Sequence, residues 1–147
     1  MIKKGMLMLL LTCVCVFVLI GCSGRPGSLK DGYYTAQAEE YSHGWKEFVT
    51  ITVRGGKIIS VEYNAVNESG FVKSWDNAYM HTMKAYTGTY PNEYTRNYAA
   101  QLLKKQSPNV DAISGASSSA ASFQKLAAAV LEQAQKGDSS TIFVETE

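Results

Sequence analysis

Beyond residue 22 this 147-residue chain contains no cysteine; its three are Cys13, Cys15 and Cys22. A domain built from the remainder has no disulfide, no reactive thiol and no thiolate ligand for a metal. Its stability must come from an ordinary core. Histidine is nearly as scarce, with His43 and His81 only. Without cysteine, two histidines do not make a structural zinc site. Their spacing supports no nucleophile–histidine–acid triad, which argues against a hydrolase. An excess of one charge is also missing. The chain has 14 basic residues against 13 acidic ones, too even a balance for a nucleic-acid partner. No internal repeat is present.

A long apolar run occurs once. Lys3 and Lys4 precede GMLMLLLTCVCVFVLIG, Gly5 to Gly21. A positive start followed by an apolar stretch is a secretory signal and is excluded from fold reasoning. About 17 apolar residues would also just span a bilayer as a permanent helix; the small Gly21 directly before Cys22 favours cleavage instead. Leu19-Ile20-Gly21-Cys22 resembles the lipobox of bacterial lipoproteins. That resemblance implies a signal peptide over 1–21, lipid such as palmitate on Cys22, and anchorage to the extracytoplasmic face of the cell membrane. Residues 22–30 then form a short polar tether rich in glycine and serine. Cleavage removes two of the 14 basic residues and none of the 13 acidic ones, leaving a formal charge near −1. A single domain over 31–137 is long enough to bury about two-thirds of its unfolded surface.

Within that domain the strand signals come first. YYTAQAEEY, residues 33–41, has aromatics at both ends. FVTITVRGGKIISVEYNAV, residues 48–66, alternates Val49, Ile51 and Val53 with Phe48, Thr50 and Thr52. Ile59, Val61 and Tyr63 repeat the period of two beyond Gly55-Gly56, a pair suited to a hairpin turn. A three-stranded antiparallel meander is predicted. Helical spacing follows. Trp75, Tyr79, Met83 and Tyr86 share one face, with Ser74 as N-cap and Gly88 past the end. Pro91 opens a second helix carrying Tyr94, Tyr98 and Leu102, with Lys104 and Lys105 at its C-terminal end. Val110 to Ile113 is a short extended piece. A third helix runs from Ser117 to Lys136, with Phe123, Leu126, Ala127, Val130 and Ala134 as its buried stripe and Gly137 as its stop. Residues 138–147 are a tail or a short final strand. Strands first and helices afterwards predict α+β: an antiparallel sheet with about three helices packed on it.

The stretch DAISGASSSA, Asp111 to Ala120, is small and hydroxyl-rich, and it stands just before the best helix. A helix start offers unpaired N–H groups and a partial positive charge. Gly115 and Ala116 leave room for close approach, so a phosphate is favoured there. Ser114 and Ser117 can bond that anion, or they can simply cap the helix. The loop lacks the lysine of a Walker motif and the spacing of a dinucleotide fingerprint.

Asp111-Ala112-Ile113-Ser114-Gly115-Ala116-Ser117 resembles the flavinylation motif Asp-x-x-(Ser/Thr)-Gly-Ala-(Thr/Ser) of the FMN-binding domain family. Relatives include the FMN-carrying C subunit of the sodium-pumping NADH:quinone reductase, the G subunit of the Rnf complex, and extracellular flavin lipoproteins. The resemblance extends over about 31–137. It implies that a transferase uses FAD and Mg²⁺ to attach FMN through a phosphodiester to the last hydroxyl of the motif, here Ser117. Most relatives carry threonine at that point. Ser118 and Ser119 are neighbouring hydroxyls. Asp111 either orients the loop or assists the transfer.

A flavin ring needs stacking partners and hydrogen-bond donors. The segment YSHGW offers His43 and Trp45 around a bend at Gly44; the plain alternative is a surface turn and a core tryptophan. Trp75, Tyr79 and Met83 can face the ring, or they can be core. Lys73 and Lys84 suit a phosphate or an electron partner, or are solvated helix charges. The resulting expectation is a membrane-anchored electron carrier rather than a stand-alone catalyst. It would take electrons from a membrane NADH or quinol dehydrogenase and pass them to an external acceptor or a reductase, a form of extracellular electron transfer. One rival is a lipoprotein holding flavin or another small ligand non-covalently without a redox role. Another is an interaction protein with a degenerate motif.

Overall fold

The computed structural model describes residues 28–146. The signal (1–21), Cys22 and most of the tether lie outside the described residues. The elements are β1 (Gly32–Ala38), β2 (Lys46–Arg54), β3 (Lys57–Val66), a 3-10 turn (Lys73–Trp75), α1 (Asn77–Thr87), α2 (Pro91–Lys105), α3 (Ser117–Lys136) and β4 (Ile142–Val144).

β1, β2 and β3 form the predicted antiparallel meander. The tail supplies β4, which pairs parallel to β1, so the sheet is mixed with order β3-β2-β1-β4. One register detail departs from simple alternation. Val53 pairs with Ile58, yet Thr52 pairs with Ser60, so Ile59 is an extra residue in a bulge. The bulge shifts the inward parity of β3 at its start. Ile58 is buried at 3% exposure and Ile59 is 47% exposed, the reverse of the strict period-two expectation.

The sheet is one-sided, as antiparallel sheets often are. Its outer face is polar, with Thr35 and Thr50 hydroxyls 2.9 Å apart and Ser60 Oγ donating to Thr52 at 2.7 Å. Its inner face carries Tyr34, Ala36, Val49, Ile51, Val53 and Tyr63. α2 covers β3, and α3 covers β1 and β2. The stripe Phe123, Leu126, Ala127, Val130 and Ala134 is buried, as is Tyr94–Tyr98–Leu102. Fully burying side chains of this size contributes about 1.5–3 kcal/mol each. Phe123 stacks against Tyr98 at 5.7 Å and tilts on Tyr63 at 4.7 Å.

α1 is the exception among the three helices. It has no buried residue, and Met83 is its contact with the core. Its N-cap is Asp76, which accepts from Tyr79 N at 2.9 Å. Ser74 instead sits in the 3-10 turn, buried, and accepts from Asn64 Nδ2 at 2.9 Å. Val110 to Ile113 is not a strand, because side chains rather than a neighbouring strand satisfy its backbone. Both ends of the domain are tied down. Lys30 N donates to Ala134 O and Glu39 N to Val144 O, each at 2.9 Å. Among the described residues no helix is long and apolar enough to cross a membrane.

Phe123 is fully buried at the centre of the ring cluster. Phe123→Ala should cost about 3–5 kcal/mol of unfolding free energy, read as a fall in denaturant midpoint with unchanged slope.

Candidate functional site

A cleft opens where the β1–β2 loop, α1 and the N-terminus of α3 meet. His43, Trp45, Glu47, Lys73, Tyr79, Met83, Tyr94, Gly115, Ala116, Ser118, Ser119 and Ser122 are among the residues that line it.

The loop end is a tight hairpin. Ser42 and Trp45 exchange backbone hydrogen bonds at 2.8 and 2.9 Å. The two residues between them, His43 and Gly44, have φ of 51° and 81°, as a primed hairpin turn requires. That geometry turns Trp45 toward α1. The Trp45 and Tyr79 rings lie 6.3 Å apart at 49°. Lys73 Nζ stands 5.7 Å from the Trp45 centroid and 5.3 Å from that of Tyr79, within cation–π range. The helical stripe therefore splits. Tyr79 and Met83 face the cleft, while Trp75 and Tyr86 are 67% and 86% exposed; neither half is the core stripe that spacing alone suggests.

The motif loop is held from below by α2. Tyr98, fully buried, accepts from Ile113 N at 3.0 Å and donates to Ala116 O at 2.9 Å. Gln101 clamps Asp111 through both backbone groups, accepting from its N–H at 2.7 Å and donating to its C=O at 3.1 Å. The Asp111 carboxylate pairs with Lys105 at 2.8 Å. That pair is exposed, and Asp111 is not among the residues lining the cleft. Ile113 O accepts from Ala116 N at 2.9 Å across Ser114-Gly115, a turn needing positive φ at its third residue. Gly115 has φ of 81°. A Cβ there would also meet Thr87 O at 2.5 Å. The motif glycine is therefore what lets the end of α1 rest against the loop.

Ala116 is the N-cap of α3, and no side chain caps it. The hydroxyls of Ser114 and Ser117 are not spent on capping, and the helix start remains available to an anion. Ser117 is exposed and heads the helix; it is not itself among the lining residues, though its neighbours Ala116 and Ser118 are. Ser114 is exposed and is not among the lining residues.

Sequence reasoning missed the polar end of the cleft. Glu47 sits in β2 at the inward parity of Val49, Ile51 and Val53, and that alternation was the available signal. It accepts from Tyr63 Oη at 3.0 Å, and Tyr63 Oη also reaches Ser119 O at 3.2 Å. Burial holds the Glu47 carboxyl above its usual range, while Tyr63, Lys73 and Ser122 pull it partly back. Burial likewise lowers Lys73, opposed by Glu47. Tyr63 and Tyr94 are both pushed up by burial and then by the Glu47 charge, so both phenols stay protonated. Among the described residues no group of His, Cys, Asp and Glu is arranged to hold a metal ion.

Fold and site together bring the touching Trp45–Tyr79 ring pair, the Lys73 ammonium and the start of α3 around one cleft. Residues 44–132 match the sequence model of the FMN-binding domain, and the chain belongs to that family. It is 36% identical over 145 residues to the 15 kDa lipoprotein of Treponema pallidum (strain Nichols), covering 97% of this chain and 98% of that protein. A crystal structure of a Clostridium perfringens protein superposes with a TM-score of 0.78 at 38% identity, covering 81% of this chain and 99% of that one. The solution structure of a Clostridium thermocellum protein superposes at 0.50 with 32% identity, covering 72% and 92%. The donor set fits FMN: a stacking pair, a cationic side chain and an uncapped helix start for the phosphate.

Two outcomes are expected. Gly115→Ala forces both strain and a backbone clash, and it should cost about 1–3 kcal/mol, measured by urea unfolding. The second concerns pH. A carboxyl whose folded pKa lies above its unfolded value contributes stability below the unfolded value and loses it as pH rises through the folded one. Relative to wild type, Glu47→Gln should therefore gain stability as pH climbs from the usual value of 4.5 through the raised one. The gain should level off above that, in unfolding curves of the two proteins from acid to neutral pH.

Proposed function

We propose that this chain is a lipid-anchored, extracytoplasmic flavoprotein that carries FMN covalently on Ser117 and shuttles electrons. The observation that carries this reading is the convergence of the Trp45–Tyr79 pair with an uncapped helix start at the motif serine. FMN supplies the redox chemistry when bound. The protein's part is to hold it. Trp45 and Tyr79 stack the ring, and the N–H groups at the start of α3 favour the charge that a phosphodiester keeps. Gly115 and Ala116 leave the linkage uncrowded. His43 stands at the rim beside Trp45.

The lipoprotein part rests on Leu19-Ile20-Gly21-Cys22 and on the resemblance to the 15 kDa lipoprotein. Lipid on Cys22 keeps the carrier at the membrane, and a covalent bond keeps flavin from washing away. A transferase using FAD and Mg²⁺ makes that bond. A membrane NADH or quinol dehydrogenase is the donor, and an external acceptor or a neighbouring reductase takes the electrons.

Intact mass tests the attachment. The chain co-expressed with a flavin transferase should gain the mass of one FMN residue, and Ser117→Ala should lose that gain completely. Loss in Ser118→Ala or Ser119→Ala instead would move the acceptor. No gain in wild type would leave a non-covalent binding lipoprotein. Labelling tests the anchor: cells fed tritiated palmitate should label the wild-type protein and leave Cys22→Ala unlabelled.

A further inference from the structure

The cleft contains a half-buried carboxyl that neither stacking nor phosphate binding requires. Glu47 lies on the inward face of β2, beside the ring-stacking Trp45 and below Lys73. It is not a structural ion-pair residue: among the described residues the ion pairs are Lys105–Asp111 and Lys136–Glu132. Its hydrogen-bond partner is Tyr63, and groups from the surrounding elements face it: Lys73 of the 3-10 turn and Tyr94 of α2 couple to its charge, and the Ser122 hydroxyl of α3 favours its ionised form. Tyr79 of α1 couples to Tyr94 in turn. His43 and Glu40 line the same cleft from the β1–β2 loop.

Resting on the FMN reading above, we propose that Glu47 is a redox-linked proton carrier, taking one proton from solvent when electrons enter the ring held in the cleft and releasing it when they leave. The physical argument is charge balance in a desolvated space. Two electrons from a donor add negative charge within the cleft. A carboxylate nearby is then disfavoured, because like charges at short range penalise the ionised form. Burial has already brought this carboxyl part of the way. Tyr63 and Tyr94 cannot answer the added charge by taking up a proton, since both are pushed above the usual phenol range and already hold theirs. Glu47 gains one proton from water as the two electrons arrive, and returns it to water when an acceptor removes them. The ring's own protonation is separate from this exchange. Lys73 is the counter-charge that opposes burial and favours the carboxylate form beforehand.

The test is a potentiometric titration of the flavin-loaded full-length chain in detergent, with dithionite as reductant, repeated across pH. Wild type should show an interval in which the midpoint potential falls more steeply, by one proton per two electrons, than it does in Glu47→Gln. Outside that interval the two curves should run parallel. Lys73→Met, which removes the counter-charge, should move the interval to higher pH and keep it. Glu40→Gln should leave it in place. Superimposable curves for flavin-loaded wild type and Glu47→Gln would overturn the proton role while leaving the FMN reading intact. A wild type that takes up no flavin would overturn both. Should Glu47→Gln fail to fold or load, reduction-minus-oxidation infrared spectra of wild type decide. A protonated-carboxyl stretch should appear on reduction and shift in heavy water; its absence would sink the proposal.

Discussion

The Tyr98 hydroxyl lies at the bottom of the core and makes two hydrogen bonds to the motif loop. It accepts from Ile113 N and donates to Ala116 O, and those two backbone groups bracket Ser114-Gly115. The tyrosine ring is fully buried against Phe123 and Tyr63. A buried phenol left without partners would cost about 1–3 kcal/mol, so ring packing and loop shape enforce one another. Through this contact the core dictates where α3 begins, and therefore where its N–H groups and Ser117 stand.

The loop is in turn the support for α1. That helix has no buried residue of its own, yet it carries Tyr79 and Met83 into the cleft. Its C-terminal Thr87 carbonyl comes within 2.5 Å of where a Gly115 Cβ would be. Met83 on the core, the Tyr79–Trp45 ring contact and Lys73 above both rings are what hold it. These are modest contacts, each worth about 0.5–1.5 kcal/mol. One wall of the cleft is thus lightly held.

Charge within the cleft follows the same division. The helix start and Lys73 both provide positive potential to the space. Glu47 supplies a negative group on the sheet side, with Tyr63 donating to it, and Glu40 of the β1–β2 loop lines the same cleft. Asp111, the other acidic residue near the motif, is drawn outward by Lys105. The carboxylate that looks chemically awkward in DAISGASSSA pairs with Lys105 and is not part of the cleft lining, while Glu47, which is, sits in an unremarkable strand.

The α+β class, the hairpin at Gly55-Gly56, the start of α2 at Pro91 and the whole extent of α3 were legible in the chain, because each depends on local periodicity and on turn or cap chemistry. So was the motif, whose small residues and hydroxyls are adjacent in sequence. Tertiary structure decided what depends on distant partners. The bulge that buries Ile58 instead of Ile59 arises from pairing across the hairpin. The tail becomes a strand because β1 has a free edge. The stripe on α1 reads as core by spacing alone, but no sheet surface remains for it after α2 and α3 have covered the inner face. Glu47 joins Lys73, Tyr94 and Ser122 only when four elements meet, and no local pattern brings residues so far apart in the chain into one desolvated space.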